Sequence, residues 1–302
     1  MTVSQPVLDR RTFLARAGVL GLALSAPPGL LSAAHANPTG DAVEALVRWL
    51  RPELRSLAAE THDALAAFSL PGDDRFSRRQ HLSRPAPGGI ATRCGRFLME
   101  TIDGYLPVPD RVWVPTLVQS TRVLGDVPAP LPPELRSLGL AEAQRLDRAL
   151  EIVLTNDETL PASIVTALLL NVTATIQVPA VLWRSGGVAP FAKLSWNEKA
   201  RVFRDFESPN PKIVVLVRRS GALDGWLVDA LDGLITYLAM AMLALSADGH
   251  YSEQSQYDRR TKQLQGRPIS WDQCGYLANT QVPPDGHPEF LGYYQDRMAV
   301  EA

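Results

Sequence analysis

Cysteine is scarce in this chain, with two in 302 residues. That is too few for a disulfide scaffold or a four-cysteine zinc site. Neither sign of charge dominates, since the formal net charge is -2. A protein that coats nucleic acid needs a basic excess or a basic stripe to displace counterions from phosphates, so that class is excluded. Long unbroken apolar runs are also missing. The run from Ala17 to Ala34 is interrupted by Pro27, Pro28 and Gly29, and the run from Gly233 to Ala247 is closed off by Asp232 and Asp248. Both fall short of the roughly 20 apolar residues that span a bilayer, so no membrane span is expected in the mature chain.

The common chemical signatures are absent too. Nothing matches the triple-glycine turn of a dinucleotide site, a phosphate loop, a strand-turn-helix serine nucleophile or the His-Glu-x-x-His zinc helix. Paired-cysteine spacings of zinc, haem or thioredoxin type do not occur. The expectation is therefore no cofactor, no metal and no catalytic residue of a familiar kind. What is present is ordinary for a globular protein: 46% hydrophobic and 21% charged residues.

The N-terminus carries the clearest motif. Asp9-Arg10-Arg11-Thr12-Phe13-Leu14 resembles a twin-arginine export signal, followed by the broken apolar run and by Ala34-His35-Ala36 with small residues at the two cleavage positions. Arg10, Arg11, Phe13 and Leu14 are the signal residues, 1–36 the signal peptide, and 37–302 a single mature domain. Cleavage near Ala36 would leave the protein periplasmic or extracellular. The resemblance implies passage through the twin-arginine translocation machinery, which carries proteins already folded, with a cofactor inserted or a partner attached.

Along the mature chain the periodicity is helical. Asp41 to Leu50 is amphipathic; Pro52 restarts the helix; Leu54, Leu57, Ala58, Thr61, Ala64, Leu65 and Phe68 then continue at three- and four-residue steps to Pro71-Gly72. His62 falls on the polar flank and reads as a surface residue. Pro71 to Gly89, with Arg75, Arg78, Arg79, His81 and Arg84, reads as a long exposed basic loop. A helix is expected over 89–105. Arg111 to Val127 reads equally as a strand, through Val112 to Val114, or as a short helix. Pro128 to Pro133 is a connector and a possible sub-domain boundary, and Glu134 to Leu154 is helical. Two apolar stretches, Ala162 to Leu182 and Gly233 to Ala247, look like helices buried on most sides. Ser195 with Glu198 forms a capping box that starts a helix to Glu207. Ile213 to Val217 is the other possible strand. From Gly249 onward Tyr251, Tyr257, Trp271, Tyr276, Phe290, Tyr293 and Tyr294 crowd a stretch rich in proline and glycine. The fold class expected is mainly α: a helical globule with an irregular, aromatic-rich C-terminal segment.

Three features leave alternatives open. Cys94 and Cys274 could pair after export or sit as buried thiols. Asp248-Gly249-His250 and Asp285-Gly286-His287 could share a divalent ion or be two polar turns. The aromatic tail could pack on the chain's own helices or on a partner.

The apolar helix, then Tyr251-Ser252-Glu253, Gly266-Arg267-Pro268, Trp271 and Gly275-Tyr276, together with the signal, resemble the small subunit of membrane-associated flavin-dependent gluconate and glucose dehydrogenases, or a related exported family. The resemblance implies a non-catalytic accessory subunit without a cofactor of its own. Such a subunit escorts or stabilises a large flavoprotein of the glucose–methanol–choline oxidoreductase type. Tyr251, Trp271 and Tyr276 are then the candidate partner contacts, since interfaces concentrate their energy in Trp, Tyr and Arg. The alternative is an exported enzyme, a hydrolase with a dispersed active site.

Overall fold

In the computed structural model, residues 40–105, 149, 152–153, 161–187, 189–220 and 224–274 are described. Over these residues the protein is mainly α, and the strands among them are those of one two-stranded ribbon. The elements in chain order are α1 (Gly40–Ser69), α2 (Arg75–Arg79), α3 (Cys94–Tyr105), α4 (Ala162–Gln177), two short 3-10 helices (Pro179–Trp183 and Pro190–Lys193), α5 (Trp196–Phe206), α6 (Lys212–Ser220), α7 (Gly225–Tyr251), β1 (Tyr257–Asp258), β2 (Gln263–Leu264) and α8 (Ile269–Cys274). The twin-arginine motif, the 111–133 region, Tyr276, Asp285 to His287 and the end of the tail lie outside the described residues. So does most of 134–154, where Ala149, Ile152 and Val153 are helical.

The axis of the fold is α1, which packs against α3, α4, the second 3-10 helix and α7. Its stripe of Leu50, Leu54, Leu57 and Ala58 is fully buried, as the spacing predicts. Proline does not split it. Pro52 lies on an exposed side, where water can serve the Arg48 carbonyl that loses its N–H partner, and the helix runs through. In its last turns α1 is enclosed on nearly every side, so Thr61, His62, Ala64, Leu65, Ala66 and Ala67 are all buried. That corrects the surface reading of His62: its ring has no solvent exposure.

The stretch after α1 also differs from expectation. It is a closed loop whose ends meet through Gly89 N–H to the Leu70 carbonyl (2.9 Å) and Asp73 N–H to the Ala86 carbonyl (3.2 Å). Gly72 and Gly88 cross so tightly that a Cβ on Gly72 would sit 2.4 Å from the Gly88 nitrogen. Within the loop Asp74 caps α2 by accepting from the N–H groups of Phe76 (2.8 Å) and Ser77 (2.9 Å). Arg75, Arg78 and Arg84 face outward, but Arg79 turns inward to Glu60 of α1 (3.7 Å), and the buried Phe76, Ser77 and Gln80 pin the loop to the body.

The capping box forms as read: Glu198 N–H donates to Ser195 Oγ (3.4 Å) and Ser195 N–H to Glu198 Oε2 (2.8 Å). Ile213 to Val217 is helical within α6. Pro211 precedes its first turn and Arg218-Arg219 close its last, where cations suit the helix dipole, and this outweighs the β propensity of the run. Helix α7 is not buried on most sides. Val228, Leu231, Ile235, Leu238, Ala239 and Met242 face the core, where α7 packs on α3, α6 and α1, while Tyr237 and Met240 are exposed. By length and composition alone α7 could cross a membrane, but a helix with one face in a protein core passes the same test.

Candidate functional site

The end of α7 and the segment after it form a small, tied platform. Ser252 closes the helix, its Oγ donating to the Gly249 carbonyl (2.8 Å). The chain then makes the β1–β2 ribbon, with Tyr257 opposite Leu264 and Asp258 opposite Gln263. Asp258 shapes the tip by accepting from Arg260 N–H (2.8 Å), which holds its carboxyl below the usual range. Lys262 turns the chain back with φ 54°. Ser270 Oγ donates to the Ser252 carbonyl (2.9 Å), and Ile269 N–H donates to the buried Ser255 Oγ (3.1 Å). Glu100 of α3 anchors the platform from beneath, accepting from Gln254 Nε2 (3.1 Å) and pairing with Arg259.

This tie joins the chain at Ser252 and Ser270, next in sequence to two of the three sequence-derived contact residues, Tyr251 and Trp271. Tyr251 is 68% exposed, and Trp271 is half-buried with the Arg267 guanidinium 5.9 Å from its ring centre. Arg259, Arg260 and Lys262 line the exposed tip beside them. A cleft of about 480 Å³ opens nearby between 85–91 and Ile269 of α8, and Gln273 Nε2 donates across to the Pro87 carbonyl (2.7 Å). The acids at its wall are engaged, Asp74 in capping α2 and Asp73 with Arg78 at 2.6 Å. What the platform offers chemically is aromatic faces and guanidinium groups on fixed backbone, the composition that binds protein surfaces.

The groups considered for chemistry are mostly buried, and both ring nitrogens of His250 lack a hydrogen-bond partner among the described residues. Cys94 is an unpaired, buried thiol, 3.4 Å from the Ser246 carbonyl, and burial with the nearby Asp63 charge pushes it up to about 12. Because the thiolate is the nucleophile, this is an inert cysteine. Cys274 ends α8, and its side chain is outside the described residues. Asp248 to His250 form the last turn of α7 rather than a loop. His250 is buried with Gly89 packed against its ring, and desolvation pushes it down to about 4. Among the described residues no group of three His, Cys, Asp or Glu could hold a metal ion.

Two buried polar arrangements were not visible in the sequence. In the first, Asn171 of α4 donates to Thr61 Oγ1 (2.8 Å) and the Ala167 carbonyl (2.8 Å) and accepts from Phe191 N–H (2.9 Å). His62 makes a separate link between α1 and α4, with Nδ1 2.8 Å from the Ala58 carbonyl and Nε2 3.3 Å from Thr166 Oγ1; burial lowers its pKa. In the second, Lys199 of α5 is fully buried. Its Nζ donates to the Ala64 carbonyl (3.2 Å) and Gln80 Oε1 (2.8 Å) and lies 5.5 Å from the Phe191 ring centre. Burial pushes this amine down to about 7. Such an amine has the basicity of a nucleophile, but it is sealed from solvent and its donors are spent on α1 and the loop. Beside it Glu198 takes Arg184 in a fork at 2.6 and 2.8 Å, which pulls its carboxyl down to about 2. Both arrangements hold elements together.

No protein-family model, no curated protein and no solved structure matches this chain.

Proposed function

We propose that this chain is an exported, non-catalytic accessory subunit that docks a larger protein through the platform of Tyr251, the basic ribbon tip and Trp271. One observation carries the reading: the exposed Tyr251 and arginine side chains and the half-buried Trp271 stand on backbone tied by four hydrogen bonds and Glu100. Pre-ordered groups of this kind lose little conformational entropy on binding. The buried titratable groups serve packing, which fits a scaffold better than a reaction centre.

The partner follows from the signal and the resemblance. A twin-arginine route implies a complex folded before export, and the resemblance makes the passenger a flavin-dependent oxidoreductase of the glucose–methanol–choline type. In this reading the chain carries Arg10 and Arg11 for both proteins.

The platform is tested by Trp271→Ala, with binding to that flavoprotein and the melting temperature of the isolated subunit both measured. Loss of an interface Trp costs on the order of 2 kcal/mol, so affinity should fall at least about tenfold. Trp271 is only half-buried in the free chain, so the melting temperature should change little. Undiminished binding by Trp271→Ala and by Tyr251→Ala would contradict the platform as the contact.

A further inference from the structure

Helix α7 carries a second exposed surface. Trp226, Tyr237, Met240 and Tyr251 are 65%, 50%, 57% and 68% exposed. At about 100° per residue they fall within an arc of about 60°. Exposed Gly233, Ala244 and Ala247 complete the stripe. Its opposite face is in the core, so α7 is apolar on both sides, and an apolar strip of this length on a surface marks an interaction site.

The order of residues along the stripe identifies what covers it. About the junction of Leu238 and Ala239 the stripe reads much the same in both directions. Tyr237 and Met240 lie one residue outside that pair, Gly233 and Ala244 five, Ala230 and Ala247 eight, Asp229 and Asp248 nine, and Trp226 and Tyr251 twelve. Antiparallel pairing of α7 with a second α7 brings the members of each of these pairs opposite one another. Large side chains on a helix lean over the turn before them. The Tyr237 ring therefore lies over Gly233, facing Ala244 of the other copy, and Tyr251 lies over Ala247, facing Ala230. The small residues supply the room that the rings fill. At the centre Met240 meets Tyr237, a favourable sulfur–aromatic pairing.

The charges agree with this arrangement. Asp229 is held by Arg218 of α6 at 2.9 Å, with Arg219 next in sequence. Asp229 and Asp248 lie on opposite flanks of the stripe, so the antiparallel pair keeps these two carboxylates on opposite sides of the seam. We propose that the stripe is the interface of a two-fold homodimer in which α7 packs antiparallel on α7 of a second copy, centred on the Leu238–Ala239 junction. Such an interface is isologous, the commonest kind in soluble oligomers. A helix about 40 Å long and about 10 Å wide offers about 400 Å² per copy, half the roughly 800 Å² of a standard interface. The dimer is accordingly reversible. Tyr251 belongs to both this stripe and the platform, whereas Trp226, Tyr237 and Met240 belong to the stripe and not to the platform, so substitutions at Tyr237 read the dimer apart from the flavoprotein contact.

Variants with one added cysteine, in a Cys274→Ser background that keeps the buried Cys94, test the register. Two Trp226 positions in the antiparallel pair are about 37 Å apart, far beyond disulfide reach, whereas Trp226 and Tyr251 are opposite. Under mild oxidation a mixture of Trp226→Cys and Tyr251→Cys should give the mixed disulfide dimer. Either variant alone should give at least about tenfold less. Sedimentation velocity from roughly 1 to 100 µM should show a monomer–dimer equilibrium that Tyr237→Arg weakens at least tenfold, with helicity unchanged. The proposal is overturned by self-linking of Trp226→Cys, which marks a parallel pair, or by a Tyr237→Arg variant that dimerises as before. It is also overturned by a chain monomeric at every concentration, the result expected if another segment of the chain or a different partner covers the stripe.

Discussion

Stability to urea should rise as the pH is raised from 7 to 9, and most of the rise should be lost in Lys199→Met. Burial holds the Lys199 amine at about 7 in the folded chain against an ordinary value of 10.5. Between those values the unfolded chain binds the proton and the folded chain does not, so raising the pH favours folding. Two pH units at about 1.4 kcal/mol each set an upper scale of about 3 kcal/mol. Lys193, lowered by burial, acts in the same direction, so the difference between wild type and variant is what isolates Lys199. Above about pH 9 Cys94 opposes the trend, because its thiol stays protonated to about 12 when folded. Methionine keeps the length and apolar bulk of the stem but leaves the Gln80 amide oxygen and the Ala64 carbonyl without this donor. A wild type that is flat from pH 7 to 9, or a variant with the same slope, would show that Lys199 is not the desolvated amine described above.

Asn171→Leu should destabilise the protein by about 2–4 kcal/mol at neutral pH. The substitution keeps the volume and removes three hydrogen bonds at a site without solvent. The N–H of the fully buried Phe191 would lose its acceptor, and an unsatisfied buried donor costs about 1–3 kcal/mol by itself. Thr61 keeps its bond to the Leu57 carbonyl (2.7 Å), so the damage centres on the 3-10 turn at Pro190–Lys193. Urea denaturation reads the loss directly. A change under about 0.5 kcal/mol would mean that the turn finds another acceptor and that the network is not what joins α4 to α1.

What the sequence discloses and what it hides divide along physical lines. Local signals hold: Ser195 and Glu198, three residues apart, cap α5 as read, and the Leu50, Leu54, Leu57 stripe faces the core. Polar letters on helices mislead, because their partners are far away in the chain. Lys199 meets Gln80, Asn171 meets Thr61, and His62 meets Thr166, so none of the three betrays its burial locally. His62 lies between Thr61 and Asp63 and looked solvated only because the packing around the end of α1 could not be foreseen. Phe76 was lost among four arginines, although one phenyl ring suffices to draw that loop inward. In α7 the fault runs the other way. Apolar residues on both faces leave composition unable to separate the buried side from the exposed one, and only the packing of α3 and α6 decides it. The Ser270–Ser252 bond, which no motif announces, ties the chain next to Tyr251 to the chain next to Trp271.

The central proposal is that the chain is exported together with a flavoprotein. The direct measurement is to purify the tagged full-length chain from its native host's exported fraction and record the composition and absorption spectrum of what elutes. The account predicts a stoichiometric complex with a larger protein and the absorption bands of bound flavin, and a colourless protein when the chain is produced alone. Elution of the chain by itself, colourless and with hydrolytic activity of its own, would contradict it.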